Sequence, residues 1–161
     1  MATTLHDTAA AVTTLLNAGV ALDAFTVDFT AATAYDTDLL LENADDALSV
    51  LVVPAGLACV ADSRVSVRYD VGVDVALRYR FGTSDQNADG TIKIASIGTY
   101  VGVLEEVMQY LAKPANRALA TKLTAGWMTN EIRYPWVPDH LRNNRQFTGI
   151  FRATYRVAVE P

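Results

Sequence analysis

The sequence predicts an α+β fold: a mainly antiparallel sheet with a long central strand, packed against an amphipathic helix and a short N-terminal helix. Three observations carry this. Residues 64–81 alternate apolar and polar without a fault. Residues 97–111 place Ile97, Tyr100, Val101, Leu104, Val107, Met108 and Leu111 at three and four spacing. Residues 147–159 alternate again, with Phe147, Phe151, Ala153, Tyr155, Val157 and Val159 on one face. A strand shows successive side chains to opposite faces, whereas a helix repeats every 3.6 residues, so the two patterns exclude one another.

Element by element, residues 7–17 read as a short helix. Ala9, Val12, Leu15 and Leu16 share a face, Asp7 sits in the first turn and Gly19 follows as a stop. His6 falls at its frayed start and is expected in solvent. Residues 25–29 alternate around Phe25, Val27 and Phe29 as a strand. Residues 35–47 are acidic and irregular, a loop anchored by Leu39, Leu40 and Leu41. Residues 48–53 are a β-branched run that Pro54 and Gly56 end in a turn. In the long strand, Val65, Val67, Tyr69, Val71, Val73, Val75, Leu77, Tyr79 and Phe81 oppose Arg64, Ser66, Arg68, Asp70, Gly72, Asp74, Ala76, Arg78 and Arg80. Residues 82–90 form a polar connection, Ser96 caps the amphipathic helix and Pro114 ends it. Residues 115–123 suggest a second short helix. Residues 128–136 suggest a strand with Ile132 and Tyr134 inward, halted by Pro135 and Pro138.

The length of the long strand is itself informative. Eighteen extended residues span roughly 60 Å at ~3.3 Å each, against a diameter of roughly 40 Å for a compact chain of this size. The strand must bend, with Gly72 the natural place, or protrude and share its edge with another chain.

Composition narrows the function. The chain has 161 residues, half of them apolar and a fifth charged, which suits one folded domain with a sizeable core. No apolar run approaches the ~20 residues of a membrane helix, so no membrane partner is expected. The first residues lack the basic and apolar stretches of a secretion signal, and Cys59 is the sole cysteine, so folding in a reducing cytoplasm is expected. The net charge of −5 conceals a division. Residues 1–63 hold nine acids and no lysine or arginine; all 13 basic residues and nine acids follow, giving −9 and then +4. Such a protomer suits head-to-tail association, unless both halves intermix on one surface.

Motifs for catalysis are thin. His140 adjoins Asp139, but no serine or cysteine motif accompanies them, and there is no glycine-rich phosphate loop or HExxH. Glu105 and Glu106 read as a solvated helix edge. No enzyme activity, metal or cofactor is expected. Asp85, Asn87, Asp89 and Gly90 fit the opening of a calcium loop, yet Ser96 stands where that loop needs its bidentate acid, and a polar turn accounts for them. Arg64, Arg68, Arg78, Arg80, Arg152 and Arg156 stand on the polar faces of the two long strands. They would make a basic stripe, but Asp70 and Asp74 interrupt it and cross-strand Arg–Asp pairing is the simpler account. With Asp85 and Asp89 these arginines are the candidate interaction residues. Trp127, Tyr134 and Trp136 are read as pinning a loop to the core rather than stacking on bases.

Four signatures recur together: Val52-Val53-Pro54 closing a strand, the alternating strand 65–81, a helix with the Leu-Glu-Glu pattern of Leu104 to Leu111, and the alternating strand 145–157 opening on Arg145 and Phe147. In this order they resemble the tail terminator and neck (head–tail joining) proteins of long-tailed bacteriophages. The resemblance covers most of the chain, apart from the acidic residues 35–47. It implies a non-enzymatic virion protein, assembled in the host cytoplasm, that forms a homo-oligomeric ring, usually a hexamer. Its partners would be its own copies, the tail tube protein and the head–tail connector, with DNA passing through the lumen without sequence recognition. The same features fit another neck ring or a tube subunit.

Overall fold

A computed structural model describes residues 4–35, 39–41, 47–61, 67–119 and 125–159. The elements run α1 (Thr4–Ala21), β1 (Phe29–Thr33), β2 (Leu48–Ala61), β3 (Val67–Arg80), α2 (Ile94–Ala112), β4 (Ala118–Leu119), β5 (Ala125–Tyr134), α3 (Pro138–Asn144) and β6 (Gln146–Val159). The fold is α+β, and its mostly antiparallel sheet curls into a half-barrel. Strand order is β1-β2-β3-β6-β5-β4, with β1 parallel to β2 and every other neighbour antiparallel.

The alternation places the core. Val71, Val73, Val75 and Leu77 of β3 are fully buried, as are Phe147, Phe151, Ala153, Tyr155 and Val157 of β6. Helices α1 and α2 cover this face through Val12 and Leu16, and through Leu104, Val107 and Leu111. Removing that much apolar surface from water is the dominant favourable term in folding. The helices meet at Gly19, against Phe25 and Tyr110.

Several boundaries differ from the expectations. Helix α1 has 18 residues and is not short. Its apolar periodicity is diluted by Thr13 and Thr14, whose hydroxyls bond back to the carbonyls of Ala9 and Ala10. The first strand is Phe29–Thr33, displaced from 25–29 because Phe25 packs among Phe29 and Tyr110 as part of a turn. The third strand begins within the described residues at Val67 and ends at Arg80; residues 64–66, Arg64 among them, lie outside those residues.

Strand β2 does not stop at Pro54. It runs on to Ala61, and its register slips between Pro54 and Gly56, so one extra residue bulges opposite Gly72. A proline is tolerated there because its missing N–H falls at a bulge on a strand edge. The bend expected at Gly72 is thus made by its neighbour. Gly72 instead leaves room for Arg152, whose Cδ lies 3.4 Å from where a Cβ would stand.

The amphipathic helix starts two residues before Ser96. Lys93 is its N-cap, and Ser96 Oγ donates to Asp85 Oδ1 at 2.9 Å, tying the preceding loop to the first turn. Instead of a second helix at 115–123 there is one 3₁₀ turn, Pro114–Asn116, and then β4; residues 120–124 lie outside the described residues. Ile132 and Tyr134 are 41% and 57% exposed: Ile132 stands opposite buried Phe151 on the helix side but on an edge strand, and Tyr134 stands opposite Ile150 on the other face. Register breaks at Trp127/Thr129 and Ile132/Tyr134 interrupt the alternation that a single period would impose on β5.

One core group is mismatched with its surroundings. Tyr155 is fully buried and its hydroxyl has no hydrogen-bond partner among the described residues, so burial pushes the phenol above its ordinary pKa. Leaving a buried hydroxyl unsatisfied costs ~1–3 kcal/mol. Tyr155→Phe is therefore expected to stabilise the protein, raising Tm by about 3 °C; a lowered Tm in a calorimetric scan would refute the mismatch.

Candidate functional site

The sheet face turned away from α1 and α2 is polar. The even-numbered residues of β3 and β6 point to it, and the antiparallel register sets Asp74 opposite Arg152 and Asp70 opposite Arg156. Both pairs are bidentate. Arg152 Nε and Nη2 donate to the Asp74 carboxylate at 2.7 and 2.9 Å; Arg156 does the same to Asp70 at 2.9 and 3.2 Å. Glu131 of β5 stands opposite Arg152, so the ladder reaches a third strand. Arg78 Nε donates to Ser49 Oγ of β2 at 3.2 Å. The alternation puts Arg68, Arg78, Arg80, Arg152 and Arg156 on one face, and the cross-strand pairing binds Arg152 and Arg156 to acids within it.

The Arg156 guanidinium holds the Asp70 carboxyl below its ordinary pKa. A carboxyl depressed in the fold contributes stability above its unfolded pKa and loses it as pH falls through the folded value. Asp70→Asn is expected to cost ~1 kcal/mol at pH 7, the range of a well-formed, partly exposed pair. The difference from the parent should shrink as the pH falls below about 4 and disappear only below the depressed folded value. Urea melts at pH 7 and pH 3 check both points, and an equal cost at both would refute the pairing.

Asp85 and Asp89 do not join this ladder. The Asp85 carboxylate accepts from Gly82 N at 3.3 Å and from Ser96. Asp89 Oδ1 accepts from Thr91 N and Oγ1 at 3.0 and 2.6 Å, which lowers its pKa, and Asn87 Nδ2 donates to Thr91 Oγ1 at 3.0 Å. The calcium-like spacing thus folds as a polar turn whose oxygens serve their own loop. No cluster of three His, Cys, Asp or Glu side chains suited to a metal occurs among the described residues.

Four other expectations change. His140 lies on α3, not in a loop, and its Nδ1 is 2.9 Å from Thr148 Oγ1. His6 is tied by a hydrogen bond to Tyr35 and stacks on its ring. Glu106 is not merely solvated: it accepts from Thr26 N at 2.9 Å and from the Thr26 hydroxyl, fastening the α1–β1 loop to α2. Trp136 is exposed, while Trp127 Nε1 donates to Asn130 Oδ1 at 3.0 Å beneath the Arg117 guanidinium.

The sheet edges carry what sequence reasoning missed. Asn17 of α1 reaches the outer edge of β1, where its Nδ2 donates to Ala31 O and its Oδ1 accepts from Ala31 N, each at 2.9 Å. One side chain makes the two bonds that a further strand would make. Buried Gln146 does likewise for residues 39–41: Oε1 accepts from Leu41 N at 2.8 Å, while Nε2 donates to Leu39 O at 2.6 Å and Thr148 Oγ1 at 2.7 Å. No sequence pattern marks either amide, because its partners come from remote parts of the chain.

Among the described residues, two other edges have no such cover. Strand β1 pairs with residues 48–52 of β2 only. Beyond them residues 53–61 pair with β3 alone among the described residues, and none of them is charged. Across the sheet, β4 pairs only with Ala125 and Gly126, leaving residues 129–134 of β5 an edge among the described residues. Among the described residues, Asp7, Asp23 and Asp28 lie on α1 and the loop before β1, Lys113 and Arg117 follow α2, Arg133 lies on β5, and residues 39–41 sit against Gln146 of β6 inside the sheet. No helix among the described residues is long and apolar enough to cross a membrane. No protein-family model and no curated protein matches the sequence.

Proposed function

We propose that this chain is a non-enzymatic structural subunit that closes into a homo-oligomeric ring, of the kind that terminates the tail tube of long-tailed bacteriophages and joins it to the head connector. The observation that carries the reading is a sheet with two different edges unpaired among the described residues, at residues 53–61 of β2 and 129–134 of β5. A ring needs two different, mutually complementary surfaces on every protomer, whereas a two-fold dimer needs one self-complementary surface. The polar face, with its internally paired arginines, suits a lumen wall that DNA passes without being held. The element order and loose signatures shared with tail terminator and neck proteins supply the virion context by analogy of pattern.

Light scattering coupled to size exclusion, with negative-stain imaging of the same fractions, tests this. Closed rings of one size support it. Open tubes would assign the chain to a tube, and a strict monomer at high concentration would overturn the ring. A calcium-dependent rise in Tm or in assembly would favour a binding module built on Asp85, Asn87 and Asp89.

A further inference from the structure

We infer that α2 carries a self-complementary stripe, Ile94, Gly98, Val101 and Glu105, through which two copies of this chain pair about a two-fold axis with their α2 helices antiparallel. The contact goes beyond the ring reading and does not depend on it.

The stripe follows from the helix period. Residues spaced by four, three and four fall on one line along a helix. Val103, Leu104, Val107 and Leu111 are buried and form the opposite, core-facing side of α2. The outer side of a surface helix is ordinarily polar. Here its line begins with Ile94, 87% exposed, and carries no polar side chain before Glu105. Ile97 and the half-exposed Trp136 wall this line into an open groove of about 540 Å³, and Glu105 is the charged residue in its lining.

The order of residues selects the occupant. Along α2 the stripe reads large, small, large, acid. Laid antiparallel on its own copy, about an axis between Gly98 and Val101, it sets each Val101 over the other copy's Gly98 and each Ile94 beside the other copy's Glu105. Gly98 supplies the hollow, with nothing within 4 Å of where its Cβ would stand. Glu105 meets a complementary end. The first turn of α2 has no side-chain cap and no acidic residue, and the N–H groups of Ile94 and Ala95 have no hydrogen-bond partner among the described residues. A carboxylate is favoured at such a terminus. Asp85 does reach this turn through Ser96 Oγ, but Ser96 points about 200° around the helix from Ile94, away from the stripe. A parallel pair would instead bring Glu105 against Glu105, and like charges suppress such pairings.

The contact is short. From Ile94 to Glu105 is about 16 Å along the helix, which places it with the weak, transient interfaces that form at high local concentration. A two-fold contact closes on itself, joining two protomers or stacking two rings face to face, and leaves no open end.

Disulfide trapping reads the register. Cys59 is exposed, so the variants are made with Cys59→Ser. Cysteines bridge when their Cα atoms lie within about 7 Å. At near-millimolar protein, a mixture of Ile94→Cys and Glu105→Cys chains is expected to oxidise to a heterodimer and to nothing larger. Either variant alone should give no dimer, because the two-fold axis holds each position about 16 Å from its own copy. Gly98→Leu added to both chains should abolish the heterodimer while circular dichroism and Tm show the protomer folded. In the otherwise unchanged protein, Glu105→Gln should weaken association about five-fold by sedimentation equilibrium. Dimers from Glu105→Cys alone would show a parallel pair, and a heterodimer indifferent to Gly98→Leu would show random collision. Either result, or no heterodimer at all, overturns the inference. The ring is judged by particle size, so dimers without rings remove that reading and leave this contact, and rings without the heterodimer do the reverse.

Discussion

Gly19→Leu is expected to cost about 3 kcal/mol, at the upper end of the overpacking range. A Cβ at position 19 would sit 2.8 Å from Phe25 Cε2, 2.8 Å from Tyr110 Cζ and 3.0 Å from Tyr110 Cε1. Neither ring is free to retreat. Phe25 packs against Phe29 with centroids 4.8 Å apart and edge-on to Tyr110 at 4.9 Å, and all three are buried. Even Gly19→Ala should be destabilising, although glycine to alanine inside a helix normally gains ~1 kcal/mol. Gly98 is the internal control. It lies inside α2 with nothing within 4 Å of its would-be Cβ, so Gly98→Ala should stabilise by up to ~1 kcal/mol. Urea denaturation of the two alanine variants tests the pair. Shifts of the same sign would show that helix propensity, and not the close approach of α1 to α2, governs position 19.

Gln146→Leu should cost ~2–4 kcal/mol. The residue is fully buried, and all three of its described bonds end on groups away from solvent or on the backbone of residues 39–41. Leucine fills much of the space but strands Leu39 O and Leu41 N, while Thr148 Oγ1 keeps only its bond with His140 Nδ1, and each buried orphan costs ~1–3 kcal/mol less whatever water recovers. Gln146→Glu keeps the shape and the acceptor for Leu41 N while removing the donor to Leu39 O and Thr148. It should share most of the loss. The effect has a local signature: limited proteolysis near residues 39–41 should accelerate in both variants before the sheet unfolds. Unchanged cleavage there would show that the amide does not hold this segment.

The contrast between those two residues shows what was legible in the sequence. The faces of β3 and β6 could be read because period two is a local property of the chain, and burial of Val71, Val73, Phe151 and Tyr155 follows it directly. Arg–Asp pairing could be read as a class, since like positions on two polar faces carry opposite charges. The particular pairs, Asp74 with Arg152 and Asp70 with Arg156, depend on register, which residues 70–80 and 146–156 do not specify separately. Pro54 misled because proline and glycine punctuate turns far more often than they mark an edge bulge. Tyr134 misled because the register break after Ile132 resets the period of β5, and Ile132, on the helix side, is exposed because β5 is an edge among the described residues. Asn17 and Gln146 had no local signal. A carboxamide can satisfy backbone groups anywhere the fold brings them, and the backbone partners here are 14 and more than 100 residues away.

The amide of Asn17 has a consequence for how many neighbours a protomer can have. A subunit with one joining edge at each margin has a valence of two, and two-valent units make only closed circles or linear chains. A third receptive edge raises the valence to three, and three-valent units branch into networks. In the ring proposed above, strand β1 would be that third edge, and two hydrogen bonds of 2.9 Å from one side chain occupy it. Asn17→Leu should therefore turn discrete particles into a polydisperse gel-forming population, visible as broadened dynamic light scattering. Particles that stay discrete in that variant would show that the β1 edge is closed by something other than this amide.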